Sequence, residues 1–405
     1  MTRHVPSKPM HHGIKKLLLL GAGHAHVHVL ASLAQHRPAD LDVTVLTPFA
    51  YQTYSGMTPG FVAGHYTEAD CRIELEPLVR AAGARWVQGR CTGIDPVGNT
   101  VSIAAASGAQ GVPATLGFDE LSIDTGAVLD RARLEAVMPG AATHALAVRP
   151  IEAFAQLWPQ VMELAQQKPV SLAVVGAGAA GIELVFAAEQ AIREHGMAGA
   201  RFTLITGGPE VADGYRPAVQ RKVLRQLKRR GITVLREACV GIGLGEVVLG
   251  NGAHLACDVP LLAIGTHAPP WLQGSGLALS ESGHVLVNAF QQSTSHPQVF
   301  AAGDVASRAD VPHARSGVYA VRAGPPLAHN LLAFHQRKPL KPHQPPTNTL
   351  NLLSCGTGHA IASYGPLSLE GAWAWRWKDR IDRSFIERYR VGPRPGTQAS
   401  GEPVS

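Results

Sequence analysis

The sequence predicts an α/β protein of two Rossmann-like dinucleotide-binding domains, the first discontinuous and the second inserted into it, followed by a C-terminal extension. Two observations predict it. An apolar strand running into a glycine turn and a helix-length segment occurs twice, at residues 16–26 and 171–183. A short strand ending in Gly-Asp, residues 294–304, comes back late in the chain.

The first opening reads KLLLLGAGHAH. A continuous apolar run is the mark of a strand buried on both faces. Gly21 permits the tight turn. Gly23 lets the backbone approach a pyrophosphate at a helix start, where the amides of His24 and Ala25 are free and the dipole favours anions. The third glycine of GxGxxG is replaced by His26, at a position that serves helix–strand packing. The strand LDVTVL, residues 41–46, completes a βαβ unit and ends on Thr47, where a ribose carboxylate is expected. A hydroxyl there binds more weakly than a carboxylate.

The second opening, SLAVVGAGAAGIE, carries the full motif in Gly176, Gly178 and Gly181. Its second strand, RFTLI, is followed by Thr206, Gly207 and Gly208, with neither an acidic ribose partner nor an arginine for a 2′-phosphate. NADH and NADPH both stay open. Between the openings and the late strand stand Asp124-Thr125-Gly126 and Ala263-Ile264-Gly265, each after an apolar strand and each read as a crossing between domains. Gly303 and Asp304 close the series, with the carboxylate placed to accept from a ribityl hydroxyl.

Composition excludes other classes. Apolar residues make up 45% and charged residues 16%, values of a globular protein. No apolar run approaches the roughly 18 residues of a membrane span. The basic start has only Leu17 to Leu20 as an apolar stretch, too short for a secretory segment, so a cytoplasmic chain with a frayed leader is expected. Five scattered cysteines without CxxC argue against a disulfide framework or a zinc site. A net charge of +6 is modest, and nothing resembles a nucleic-acid arm. His24, His26 and His28 share no acidic or thiol partner, so no metal site is expected there.

The order GAGHAH, DTG, GAGAAGIE, AIG and TSHPQVFAAGD resembles that of the pyridine nucleotide–disulfide oxidoreductase superfamily, and within it the branch of type II NADH dehydrogenases and sulfide:quinone oxidoreductases. The stretches GAGHAHVHVL, PFAYQTYSGMTPGFVAGHY, SGVYAVRAGPPLAHNL and WRWKDRIDRSF resemble, more closely, the flavoprotein module found fused ahead of selenide, water dikinase. The resemblance covers roughly residues 15–390. It implies FAD at Gly21, Gly23 and Asp304, with Thr47 at the ribose position, and a nicotinamide dinucleotide at Gly176, Gly178 and Gly181. It also implies Glu183 near the nicotinamide–flavin stack, an exposed first-turn carboxylate being the alternative.

Departures from that pattern shape the expected chemistry. Neither residues 50–63 nor 168–183 hold a cysteine, so no dithiol relay is available. Of the cysteines of sulfide:quinone oxidoreductases, only Cys355 lies in a comparable late region. What remains is hydride transfer from NAD(P)H to FAD, then to a quinone-like acceptor. Tyr51, Tyr54 and Ser55 are candidates to line the flavin. Tyr319 and Arg322 are candidates for the acceptor side, with Arg322 either stabilising the reduced flavin or merely solvated. Two further readings are a flavin reductase of selenium or sulfur metabolism, in which Cys355 is essential, and a non-catalytic FAD-binding structural or sensing protein.

Near the end, Trp373, Trp377, Ile381, Phe385 and Tyr389 recur every fourth residue among Arg376, Lys378, Arg380, Arg383 and Arg390. Such a helix suits either a membrane surface or packing on the first domain or a second subunit, a homodimer included. The expected domains are 14–150 and 277–335 for FAD, 151–276 for NAD(P)H, and 336–405 for the extension, Pro/Gly/Ser-rich and disordered after Gly392.

Overall fold

The computed structural model describes residues 13–196 and 199–392. The leader and the tail after Gly392 lie outside the described residues. In chain order come β1 (Lys15–Leu20), α1 (His24–His36), β2 (Leu41–Leu46), β3 (Arg85–Val87) and β4 (Glu120–Ile123). Next follow β5 (Leu146–Ala147), α2 (Ile151–Gln167), β6 (Ser171–Val175), α3 (Ala179–Glu194), β7 (Arg201–Ile205), α4 (Pro217–Arg229), β8 (Thr233–Leu235) and β9 (Val259–Leu262). The chain then gives β10 (Val299–Ala301), α5 (Gly317–His335), the hairpin strands β11 (Asn351–Ser354), β12 (Ala360–Tyr364) and β13 (Leu367–Gly371), and α6 (Ala372–Tyr389).

Two five-stranded sheets result, each parallel throughout. The first has the order β10-β4-β1-β2-β3 and the second β5-β9-β6-β7-β8. The late strand β10 thus completes the sheet begun by β1. Leu17 to Leu20 in β1 are all at most 2% exposed, because both faces of the sheet are covered: Leu17 and Leu19 pack against α1 and α5, and Leu18 and Leu20 against Phe118 and against Ile94 and Val101 of an antiparallel sheet. Each glycine turn leaves a central strand, β1 between β2 and β4, and β6 between β7 and β9. That is the switch point at which open α/β sheets receive ligands, outside the carboxyl ends of the strands.

The C-terminal extension packs on both halves. Leu353, Cys355 and Ile361 join the core around α3 and the second sheet. Phe385, Ile386 and Tyr389 of α6 join the core around α1 and the first sheet. The i+4 stripe of the sequence therefore splits. Its last two members are buried, while Trp373, Trp377 and Ile381 stay 40–44% exposed.

Candidate dinucleotide and redox site

At the end of β1, Gly21 adopts φ +80°, and a Cβ there would lie 2.5 Å from the Asp124 carbonyl oxygen. Only glycine tolerates both conditions. The turn delivers Gly23 to the start of α1, at one end of a cleft of about 460 Å³, within the usual range of ligand sites. Gly23, His24, Thr47, Thr125, Gly126 and Asp304 line it. Ala25 does not; its side chain is buried, while its amide is bonded within the protein. Gly303 precedes Asp304 at φ +70°.

Two oxygens here, Asp304 Oδ1 and Thr125 Oγ1, are buried without a partner among the described residues. Buried polar atoms are rarely left so, and these await a ligand with hydroxyl or N–H donors. The glycine turn and the orphaned oxygens fit a dinucleotide bearing a polyol. Arg149 reaches in from before α2, its Nη2 3.6 Å from Asp304 Oδ2.

His26 explains how the motif does without its third glycine. Its Nδ1 is 2.6 Å from the Gly21 carbonyl and its Nε2 2.8 Å from Ser122 Oγ. The carbonyl can only accept, so Nδ1 carries the proton and Nε2 accepts from the serine. Burial holds the ring neutral, with its pKa lowered to about 4. In the second motif the glycine is required. A Cβ on Gly181 would fall 1.8 Å from the Gly176 carbonyl oxygen.

Asp124 went unnoticed in the sequence, where it read as the first letter of a crossing. Its Oδ2 accepts from the N–H groups of Ala25 and His26 at 2.8 and 2.9 Å, at the mouth of α1. Burial pushes its pKa up to about 7, against those two N–H groups and with the Asp304 charge adding to the rise.

A second group of polar residues gathers under α6. Glu183, in the second turn of α3 rather than the first, accepts from the Ser354 N–H at 2.8 Å instead of standing free in solvent. Burial pushes it up to about 7, opposed by Lys378 and by the Ser354 N–H. Lys378, expected among the exposed cations, is buried. It donates to the Gly56 carbonyl at 2.6 Å and to Asp382 Oδ2 at 2.8 Å. Burial works against its charge, but Asp382 and Glu183 outweigh that and hold it above its ordinary value. Tyr54 stacks on Phe385 at 4.3 Å and bonds Asp382, and burial raises its pKa. His24 lies 5.4 Å from the Tyr54 ring and 3.3 Å from Ser55 Oγ, linking this group to the cleft.

Other expected residues lie elsewhere. Arg322 is exposed on α5 and outside the cleft lining, where Arg149 is the arginine beside Asp304. Tyr51 sits under the Arg72 guanidinium at 3.9 Å, and Tyr319 stacks on His313 at 4.5 Å. Cys355 is 1% exposed, and burial pushes its thiol up to about 12.

Residues 15–330 match the family described as pyridine nucleotide-disulphide oxidoreductase. The chain belongs to that family. It is an oxidoreductase family, and this member holds no cysteine in either stretch where a redox pair is expected. Among curated relatives, the type II NADH:quinone oxidoreductase NdhA of Mycobacterium tuberculosis is 22% identical over 396 residues, covering 90% of this chain and 82% of that one. The demethylphylloquinone reductase NdbB of Synechocystis is 26% identical over 270 residues, 64% of each chain. Among solved structures, the sulfide:quinone oxidoreductase of Aquifex aeolicus superposes with a TM-score of 0.77 at 18% identity, covering 93% of this chain and 91% of that one. NDH2 of Plasmodium falciparum superposes at 0.75 and 14% identity, covering 93% and 97%. These two share the fold.

Proposed function

We propose that this protein is an FAD-dependent NADH:quinone oxidoreductase that works without a dithiol relay. The observation that carries the proposal is the pairing of two glycine-turn sheets with a cleft whose buried Asp304 and Thr125 oxygens lack partners. The whole-length likeness to a type II NADH:quinone oxidoreductase supports the quinone as acceptor. When bound, FAD takes two electrons from NADH and gives them to the acceptor.

The residues divide the remaining work. The Gly21–Gly23 turn takes the FAD diphosphate, Thr47 a ribose hydroxyl, and Asp304 and Thr125 the ribityl chain. Arg149 holds Asp304 and sets a positive charge in the cleft. Gly176, Gly178 and Gly181 take NADH. Glu183, Lys378, Asp382 and Tyr54 hold protons beside the redox centre, where quinone reduction consumes them. The expected division at residues 150, 276 and 335 belongs to this proposal, with residues 336–405 as a separate extension.

Among the described residues no helix is long and apolar enough to cross a membrane. We assign membrane contact instead to the outer face of the extension. Leu367 and Leu369, at 67% and 61% exposure, adjoin Trp373, Trp377 and Ile381, with Arg376 and Arg380 exposed beside them. That composition suits an anionic bilayer surface and supports a peripheral position on the inner face of the membrane; a homodimer through the same face is the competing occupant.

A second reading, a flavin reductase of selenium or sulfur metabolism, rests on the four stretches that resemble the module ahead of selenide, water dikinase. Its thiol version needs Cys355 as a nucleophile, and burial with a raised thiol pKa opposes that. Anaerobic mixing of the purified protein with NADH decides the main proposal. Rapid bleaching of the flavin band, reversed by a soluble quinone, is expected. Flavin that stays oxidised with NADH and NADPH alike would leave the non-catalytic reading.

A further inference from the structure

Asp124 holds a place that a phosphate ordinarily competes for. The free N–H groups of a helix start, with the dipole behind them, are what a diphosphate seeks at a glycine turn. Here the protein fills two of them with its own carboxylate, at 2.8 and 2.9 Å. The backbone closes round that carboxylate: a Cβ on Gly23 would lie 2.6 Å from it, and one on Gly303 2.7 Å from its Oδ1. Asp124 is 3% exposed and stands in the wall of the cleft itself, so an anion entering beside Gly23 meets it directly.

The charges around it offer little compensation. From α1 come His24 and His26, both held neutral by burial at about 4. From the turn after β10 comes Asp304, another carboxylate, whose charge pushes Asp124 upward. Arg149 is turned to Asp304 rather than to Asp124. A diphosphate entering beside Gly23 therefore adds negative charge to a buried carboxylate that has no cation of its own among the described residues.

We propose that Asp124 is a proton-linked positioning residue of the cofactor site: it holds the start of α1 in either charge state and takes up one proton when the FAD diphosphate binds beside it. The inference rests on the FAD reading. As the neutral acid, Asp124 still accepts from an N–H group through one oxygen while its own charge no longer opposes the ligand. Because its pKa without the ligand is about 7, flavin affinity is flat in acid and falls as pH rises above neutrality.

The test measures FAD released from the holoprotein on dilution and ultrafiltration between pH 5.5 and 9, by flavin fluorescence. The FAD dissociation constant of the wild type is expected to rise about tenfold per pH unit above neutrality. Asp124→Asn, which keeps an acceptor for the two N–H groups but cannot ionise, is expected to be flat. Equal slopes in both proteins, or no slope in the wild type, would overturn the inference while leaving FAD binding intact. Flavin held by neither protein at any pH would overturn the FAD reading and the inference together. Should the variant fail to fold, wild-type holoprotein diluted at pH 8 with an indicator dye still decides. One proton released per FAD supports the linkage, and none refutes it.

Discussion

Asp304 presents a buried oxygen that nothing among the described residues satisfies, and its worth to a ligand follows from that. Asp304→Ala is expected to weaken FAD retention by roughly 10- to 100-fold, the equivalent of about 1–3 kcal/mol for a buried hydrogen bond. Equilibrium dialysis checks it, and an unchanged affinity would remove Asp304 from the site. Glu183 supports a prediction of opposite kind. Its folded pKa of about 7 lies above its ordinary 4.5, so the folded protein binds more protons between those values. Its contribution to stability is therefore fully present below about pH 4.5, is lost as pH rises through about 7, and is flat above. Glu183→Gln abolishes that slope. Urea midpoints at pH 5 and 8 are expected to favour the variant increasingly toward pH 8, and a constant difference would contradict the assignment.

Among elements, α6 shows best what a sequence reveals and what it hides. The fourfold spacing of Trp373, Trp377, Ile381, Phe385 and Tyr389 predicts an amphipathic helix, and the helix is there. Which face turns inward was not legible, because the inner face carries Lys378 and Asp382 beside Ala374 and Phe385. A charged pair defeats hydrophobic periodicity as a guide, since each charge is buried only because the other is present. Lys378→Met leaves Asp382 and Glu183 without their cation. It is expected to cost about 3–5 kcal/mol in urea unfolding, and Lys378→Met with Asp382→Leu appreciably less. The outer face is separable from this. Trp373→Ser, Trp377→Ser and Ile381→Ser together are expected to abolish flotation with anionic liposomes while flavin content and melting temperature hold. If the intact protein itself fails to float and sediments as a dimer, the face belongs to a second copy.

For the molecule as a whole, the sheets were legible because both openings announce themselves through glycines that the backbone geometry demands. The imperfect motif at His26 was legible only as a defect. Its repair, through Gly21 and Ser122, depends on a residue 96 positions away, and so does the hidden role of Asp124, which meets Ala25 across 99. Having two sheets also means that their ligands can be lost separately. Gly181→Ala is expected to raise the NADH concentration needed for bleaching at least tenfold while FAD stays bound, because the intruding methyl meets Gly176 and Ala263, at the ends of β6 and β9 in the second sheet. Loss of flavin in that variant would show that the two halves do not hold their ligands independently.

The extension that packs on both halves also limits how the molecule can move. Its hairpin is anchored in the core of the second sheet through Leu353, Cys355 and Ile361, where Arg230 also binds the Cys355 carbonyl. Its helix is anchored in the first core through Phe385, Ile386 and Tyr389. Swinging the sheets apart would have to pull one set into water, at roughly 1.5–3 kcal/mol for each large side chain. The extension is in effect a tie-bar. Traffic of small molecules then falls to rotating side chains and short loops rather than to a hinge, and a force applied to the outer face of α6 is transmitted to both sheets together.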